Sequence, residues 1–346
     1  MRIFFTLMLS LLLVSSAHAQ AGGSFFAPLT LVVTPDFPEP NSTAQARIQS
    51  SSIDLDRSTI SWYANGKLVT QGDGLTEMSI TIGPLGSATE ISVTVQELSG
   101  ESAESTRVIR PGEVDLLWEA TSYAPLSYRG RHLVSASSNI HLQALAQLVR
   151  SDGSHIPESD IIYTWRKDDA LVSSASGRGK SRATFSAPVL LAGENVQVDA
   201  TSLDGGLAAR ASVSIPSSGP QLVLYQDHPL FGTLYHQALA GRASIPDTEA
   251  TFAAIPYFAP VHVPNDQSLV YAWRVNRAVA ETDVSDPYRL TINAQNAPGN
   301  ALIELSLTHA HDVFFEAHGT WNILLNSGLG VAPRDPFQGD QFGNPQ

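Results

Sequence analysis

The chain has no cysteine among its 346 residues. That excludes a disulfide framework, a thiolate nucleophile and any metal site built on sulfur. Positive charge is also scarce: 20 Lys and Arg stand against 33 Asp and Glu, a net charge of −13 at pH 7. Such a chain lacks the clustered basic surface that nucleic acids and anionic membranes select. Past its first residues, no apolar run approaches the about 20 residues that a membrane-spanning helix needs. There is no Gly-x-Ser-x-Gly elbow, no zinc-protease helix and no paired-carboxylate motif. No catalytic residue and no cofactor is assigned, and the chain is expected not to be an enzyme.

What is present begins with an address. Arg2 precedes an apolar run centred on Leu11, Leu12, Leu13 and Val14, which ends in Ala17, His18 and Ala19 before Gln20. A basic residue, a short apolar core and small residues at the cut predict a signal peptide over residues 1–19. No cysteine follows it, which closes the lipoprotein route. The mature chain is expected to be exported to the periplasm, the cell surface or the medium, with no membrane span. Without disulfides, each domain there must be held by core packing alone, which about 90–110 residues can supply.

The most informative feature is a repeat of about one hundred residues, the size of a domain. Trp62, Trp165 and Trp273 are each followed three positions later by Asn65, Asp168 or Asn276, and then by Leu68, Leu171 or Val279. Asn and Asp tolerate the left-handed backbone of a tight turn, so each segment is expected to be strand, turn, strand, with the Trp in the core. About thirty residues further on, Ile91/Val93/Val95, Val196/Val198/Ala200 and Ile303/Leu305/Leu307 alternate with polar residues. That period of two predicts antiparallel strands with one wet face, and many such strands between turns predict sandwiches. Leu142, Leu145, Leu148 and Val149 also fit a short helix. Strand is favoured, because Pro256 occupies the comparable stretch of the third repeat. Extra hairpin-like insertions are expected near Tyr128–Ser135 and Leu234–Ile245.

Arg110-Pro111-Gly112 and the Pro- and Ser-rich stretch 216–220 mark the boundaries. The expected domains are 24–111, 112–218 and 219–326, joined by short linkers into a semi-rigid rod. Residues 327–346 hold four Gly, three Pro and no regular pattern, and are expected to be a disordered tail.

These Trp-centred repeats resemble bacterial Ig-like and PKD-like modules, and the whole resembles the exported envelope proteins of small-genome bacteria. The inter-sheet disulfide of antibody domains and the Trp-Asp-Phe-Gly-Asp-Gly run of PKD domains are both missing. The resemblance implies three tandem all-β sandwiches used for surface display, adhesion or spacing, with a protein or glycan of the cell envelope as partner.

Four side chains are candidate metal ligands. Asp54 and Asp56 precede Trp62, where hard oxygens suit calcium, and His309 and His311 have the i, i+2 spacing of a strand chelate. Two carboxylates fall short of the six to eight oxygens calcium wants, and a hairpin tip is expected at the histidines, so no metal is assigned. Gly179-Lys180-Ser181 mimics the end of a P-loop, yet Ser174 stands where its first glycine belongs. Trp118, Tyr123, Tyr128, Tyr225, Tyr235 and Tyr257 do not repeat with the fold. They are the candidates for a glycan- or peptide-binding surface, the alternative to a purely structural or adhesive role.

Overall fold

The computed structural model describes residues 29–188, 193–245, 249–295 and 299–325. The expected signal peptide and tail lie outside them. Among the described residues there is no α-helix, only two three-residue 3-10 turns, Leu55–Arg57 and Glu158–Asp160. The helix alternative at Leu142 is replaced by a nine-residue strand whose Ile140, Leu142 and Ala144 are buried on one side.

Six sheets fall in succession along the chain as three facing pairs. The first stretch holds β1 (Thr30–Thr34), β2 (Thr43–Gln49), β3 (Thr59–Ala64), β4 (Lys67–Asp73), β5 (Glu77–Thr81), β6 (Thr89–Gln96) and β7 (Ser102–Ile109). Its sheets run β1-β2-β5 and β4-β3-β6-β7. The second holds β8 (Glu113–Thr121), β9 (Asn139–Gln147), β10 (Ile161–Lys167), β11 (Ala170–Leu171), β12 (Gly177–Arg178), β13 (Arg182–Ser186), β14 (Glu194–Ser202) and β15 (Ala208–Ile215). There β13-β9-β8 faces β11-β10-β14-β15. The third holds β16 (Gln221–His228), β17 (Gly232–Ala238), β18 (Arg242–Ile245), β19 (Glu249–Tyr257), β20 (Leu269–Val275), β21 (Ala278–Val279), β22 (Arg289–Asn293), β23 (Gly299–His309) and β24 (Glu316–Leu325). Its sheets are β17-β16-β19-β22 and β18-β24-β23-β20-β21. By contact density the chain divides into two units: the first sandwich, built on Ala44–Ile80 and Thr89–Ile109, and a second unit holding both later sandwiches.

The repeated residues do the same work three times. Trp62, Trp165 and Trp273 are buried. Each indole N–H donates to a backbone carbonyl further along the chain: Leu75 at 2.8 Å, Lys180 at 2.9 Å and Pro287 at 2.9 Å. A buried indole needs such a partner, so the ring is fixed in orientation as well as position. Asn65, Asp168 and Asn276 adopt φ of 50°, 47° and 50°. Their side-chain oxygens accept from the amides of Glu90, Asn195 and Leu302, each at 2.9 Å. Their own amides donate back to the same three carbonyls, each at 2.8 Å. One residue type thus turns the chain and ties the turn to the neighbouring strand.

Neither insertion is a simple hairpin, although the second starts as the return strand of one, β16 with β17. Residues 122–138 form a strandless loop with one bridge, Val134 to Ser217. Leu234–Ile245 begins in β17, paired with β16, then crosses the sandwich so that β18 pairs parallel with β24. The crossing seats Leu239 and Ile245 in the core with Ile323 and Leu325, which a surface hairpin would leave exposed.

Candidate functional site

In the sheet β17-β16-β19-β22, the central strand β19 and the neighbouring Leu224 and Tyr225 of β16 are buried on both faces, while β17 and β22 stay largely open at the edges. The sheet's inner face supplies Leu224, Phe252, Ala254 and Leu290 to the core of the third sandwich. The other face carries Tyr225, Ala253 and Ile255 in a second buried cluster with Val223, Tyr257 and Tyr288. Accordingly, Phe252 to Pro256 are all buried without alternation. Pro256, next to last in β19, fits in the strand because of which edge it faces. The amide of Ala254 donates toward β22, to Tyr288 O at 2.8 Å, and two residues on the same side of β19 lies beyond the end of β22. No ladder bond is lost there.

What covers this face comes from the second sandwich. Tyr123, at the start of the 122–138 loop, packs against it and against a neighbouring cluster of Ala259, Val261, Leu269, Leu307 and Phe315. Its amide donates to Ala259 O at 2.8 Å, and its carbonyl accepts from Phe258 N at 2.7 Å. Phe258 holds φ +64°, a left-handed conformation that costs a bulky L-residue about 1–2 kcal/mol and so requires firm surroundings. Tyr128 stands edge-on to Tyr257 and Phe258, with ring centroids 5.8 and 5.6 Å away.

Seven of the nine tyrosines gather here: Tyr123, Tyr128, Tyr225, Tyr235, Tyr257, Tyr271 and Tyr288. Four of their hydroxyls pair with one another and two donate to backbone carbonyls, Tyr128 to Arg131 O at 3.2 Å among them. Tyr225 and Tyr257 are 2.8 Å apart, Tyr123 bonds Tyr235, and Tyr271 donates to Pro264 O at 2.7 Å. Burial pushes the phenols of Tyr123, Tyr235, Tyr257, Tyr271 and Tyr288 above the usual value, with neighbouring phenols adding to it for Tyr123, Tyr257 and Tyr271. At the rim, Arg289 donates to Asp286 at 3.2 Å, lies 3.3 Å from the Asp227 carboxylate and sits 5.1 Å over the Tyr288 ring. Asp227 also accepts from Thr233 at 2.8 Å. The tyrosine cluster and the Asp227 carboxylate held by Arg289 thus form a packed joint between the second and third sandwiches.

No protein-family model matches the sequence, and no curated protein matches it significantly. Among solved structures, three N-terminal domains of the outer capsid protein Hoc of bacteriophage RB49 align at 11% identity, TM-score 0.24, over 87% of this chain and 99% of that one. The central fibronectin-III array of RIM-binding protein aligns at 15% identity, TM-score 0.29, over 87% and 97%. Immunoglobulin domains 1–4 of Sidekick-1 align at 13%, TM-score 0.24, over 84% and 73%. The present chain's own paired sheets make it an all-β tandem of sandwiches.

Of the six aromatics singled out from sequence, Tyr123, Tyr128, Tyr225, Tyr235 and Tyr257 come together at this joint. Trp118 does not: it lies half-buried against the core of the second sandwich, with the Arg131 guanidinium 4.5 Å over its ring. Asp54 precedes the 3-10 turn and is 3.9 Å from Arg57, while Asp56 lies within that turn. His309 closes β23, and its Nδ1 accepts from the His311 amide at 3.2 Å, which takes that nitrogen from the pair. Among the described residues, no three His, Asp or Glu side chains are grouped as metal ligands. Gly179-Lys180-Ser181 is an inter-strand loop: Lys180 Nζ donates to Ser174 O, and Lys180 O receives the Trp165 indole.

Sequence reasoning missed Tyr271, Tyr288, Phe258 and Arg289. The available signal was the run from Phe252 to Phe258, six of its seven residues apolar or aromatic and the seventh Pro256. A strand that fails to alternate is covered on both faces.

Proposed function

We propose that this chain is a non-catalytic exported protein of the cell surface or periplasm, structural or adhesive, which acts by presenting its sandwich modules to a protein or glycan of the envelope. The observation that carries this reading is the fate of the aromatics. The rings that would serve as ligand platforms are spent on joining the second sandwich to the third, with most of their hydroxyls bonded within the joint. A chain that invests its tyrosines in a fixed joint is built to hold modules at a set spacing and orientation. Export rests on the Arg2–Ala19 leader pattern.

A second reading, glycan binding, is favoured by one residue. Tyr235 is the most open ring of the cluster, 36% exposed on edge strand β17, with Arg289 and Asp227 near the same sheet face. A tagged full-length chain tests both in a bacterial host. The first reading expects an N-terminus at Gln20, recovery outside the cytoplasm and a cross-linked envelope protein in pull-down. Retention in the cytoplasm with Met1 intact overturns export, and turnover of a peptide or glycan substrate overturns the non-catalytic reading. Glycan-array binding abolished by Tyr235→Ala replaces the first reading with the second.

A further inference from the structure

We infer that residues 122–138 are a strap that locks the second and third sandwiches into one cooperative body, and that Tyr123 is its positioning residue. The inference concerns only coupling between modules, so it stands or falls independently of export and of any partner.

The strap is preformed. Its base is tied by Ser122 Oγ donating to Leu133 O at 2.9 Å and by His132 Nδ1 lying 2.7 Å from Ser122 O. A compact loop closed by its own bonds loses little further freedom when it docks. It reaches the third sandwich at three separate points. Tyr123 makes the two-way main-chain pair with Phe258 and Ala259 and fills the socket of Tyr225, Tyr235, Ile255 and Tyr257. Tyr128 covers Tyr257 and Phe258. At the far end Ser137 Oγ donates to the buried Asp312 carboxylate at 2.7 Å, while Val134 O accepts from Ser218 N in the linker, also at 2.7 Å.

The socket explains why the strap must be closed. Ala253 and Ile255 are fully buried on a sheet face against which Tyr123 of the strap packs together with Val223, Tyr257 and Tyr288. Opening it exposes apolar surface, so the closed state is favoured by burial and held in register by directional bonds. Phe258, in its left-handed conformation, is the counterpart on the third sandwich, and its amide donates to Tyr123 O.

The test uses the full mature chain. In calorimetry the wild type is expected to show one joint transition for the second and third sandwiches, and Tyr123→Ala is expected to split it into two. In the same variant the Phe258 amide should exchange at least tenfold faster, while amides beside Trp165 and Trp273 keep their protection. Tyr123→Phe keeps the ring in its socket and should leave the joint transition whole. Because the chain has no cysteine, a Ser137→Cys/Asp312→Cys pair can be oxidised without competing thiols, and this cross-link should restore the joint transition to Tyr123→Ala. If Tyr123→Ala does not fold, the same split is sought in Tyr235→Ala with Tyr128→Ala. An unsplit transition with unchanged Phe258 exchange in these variants, or two transitions already in the wild type, overturns the lock.

Discussion

At the residue scale, the three turns show which properties a position demands and which it leaves free. Asp168 must turn left-handed and accept the Asn195 amide. Asp168→Asn meets both demands, as Asn65 and Asn276 do in the other sandwiches, and is expected to change stability by less than about 0.5 kcal/mol. Asp168→Ala loses the acceptor and strains the backbone, and is expected to cost about 1–3 kcal/mol in denaturant titration. Trp165→Ala removes a ring with no exposed surface and should cost about 3–5 kcal/mol, a large share of a domain's ~5–15. The Trp and Asn/Asp spacing was legible because φ near +50° admits few residue types. The indole's acceptor was not, because Leu75, Lys180 and Pro287 supply it through a backbone carbonyl that any residue carries.

At the scale of the element, β19 separates what alternation reveals from what it hides. Strands with one wet face, such as β6 and β23, announce themselves by period two, and so did most of the fold. The strand β19 is covered twice, and its second cover arrives from a loop more than a hundred residues away, which no local pattern encodes. Ile255 should therefore behave as core: Ile255→Lys is expected to unfold the third sandwich or cost more than about 3 kcal/mol. Val270→Lys, on a half-exposed position of β20, should cost under about 1 kcal/mol. Pro256→Ala restores a buried amide that has no strand to meet and frees the unfolded chain, so a loss of about 1–3 kcal/mol is expected. Urea denaturation of the three variants, followed by Trp fluorescence, checks the ranking, and a Pro256→Ala loss as large as that of Ile255→Lys would contradict it.

For the whole molecule, the uneven spread of tyrosine yields a pH signature that distinguishes the two units. The unit holding the later sandwiches contains six phenols raised by burial: Tyr123, Tyr235, Tyr257, Tyr271 and Tyr288 near the joint, and Tyr163 in the core of the second sandwich, pushed up to about 12. The first sandwich has Tyr63 alone. In the unfolded chain a phenol ionises near pH 10, while the native state holds these in the neutral form. Below pH 10 both states are protonated and the stabilisation is fully present. Above it the unfolded chain sheds protons that the native state retains, so stability falls as pH rises toward 12. Each fully raised phenol lowers the unfolding free energy by at most about 1.4 kcal/mol per pH unit, less for partly exposed rings such as Tyr235. Denaturant titrations from pH 8 to 11 should be flat to about pH 9.5, then steepen by several protons for the larger unit and less for the first sandwich, which has no cluster of buried phenols. Tyr271→Phe should remove up to one proton from that slope, at a loss of about 1 kcal/mol at neutral pH for the bond to Pro264. Equal slopes in the two units would mean that the phenols are as open to water in the folded protein as in the unfolded chain, and the packed joint between the second and third sandwiches would have to be given up.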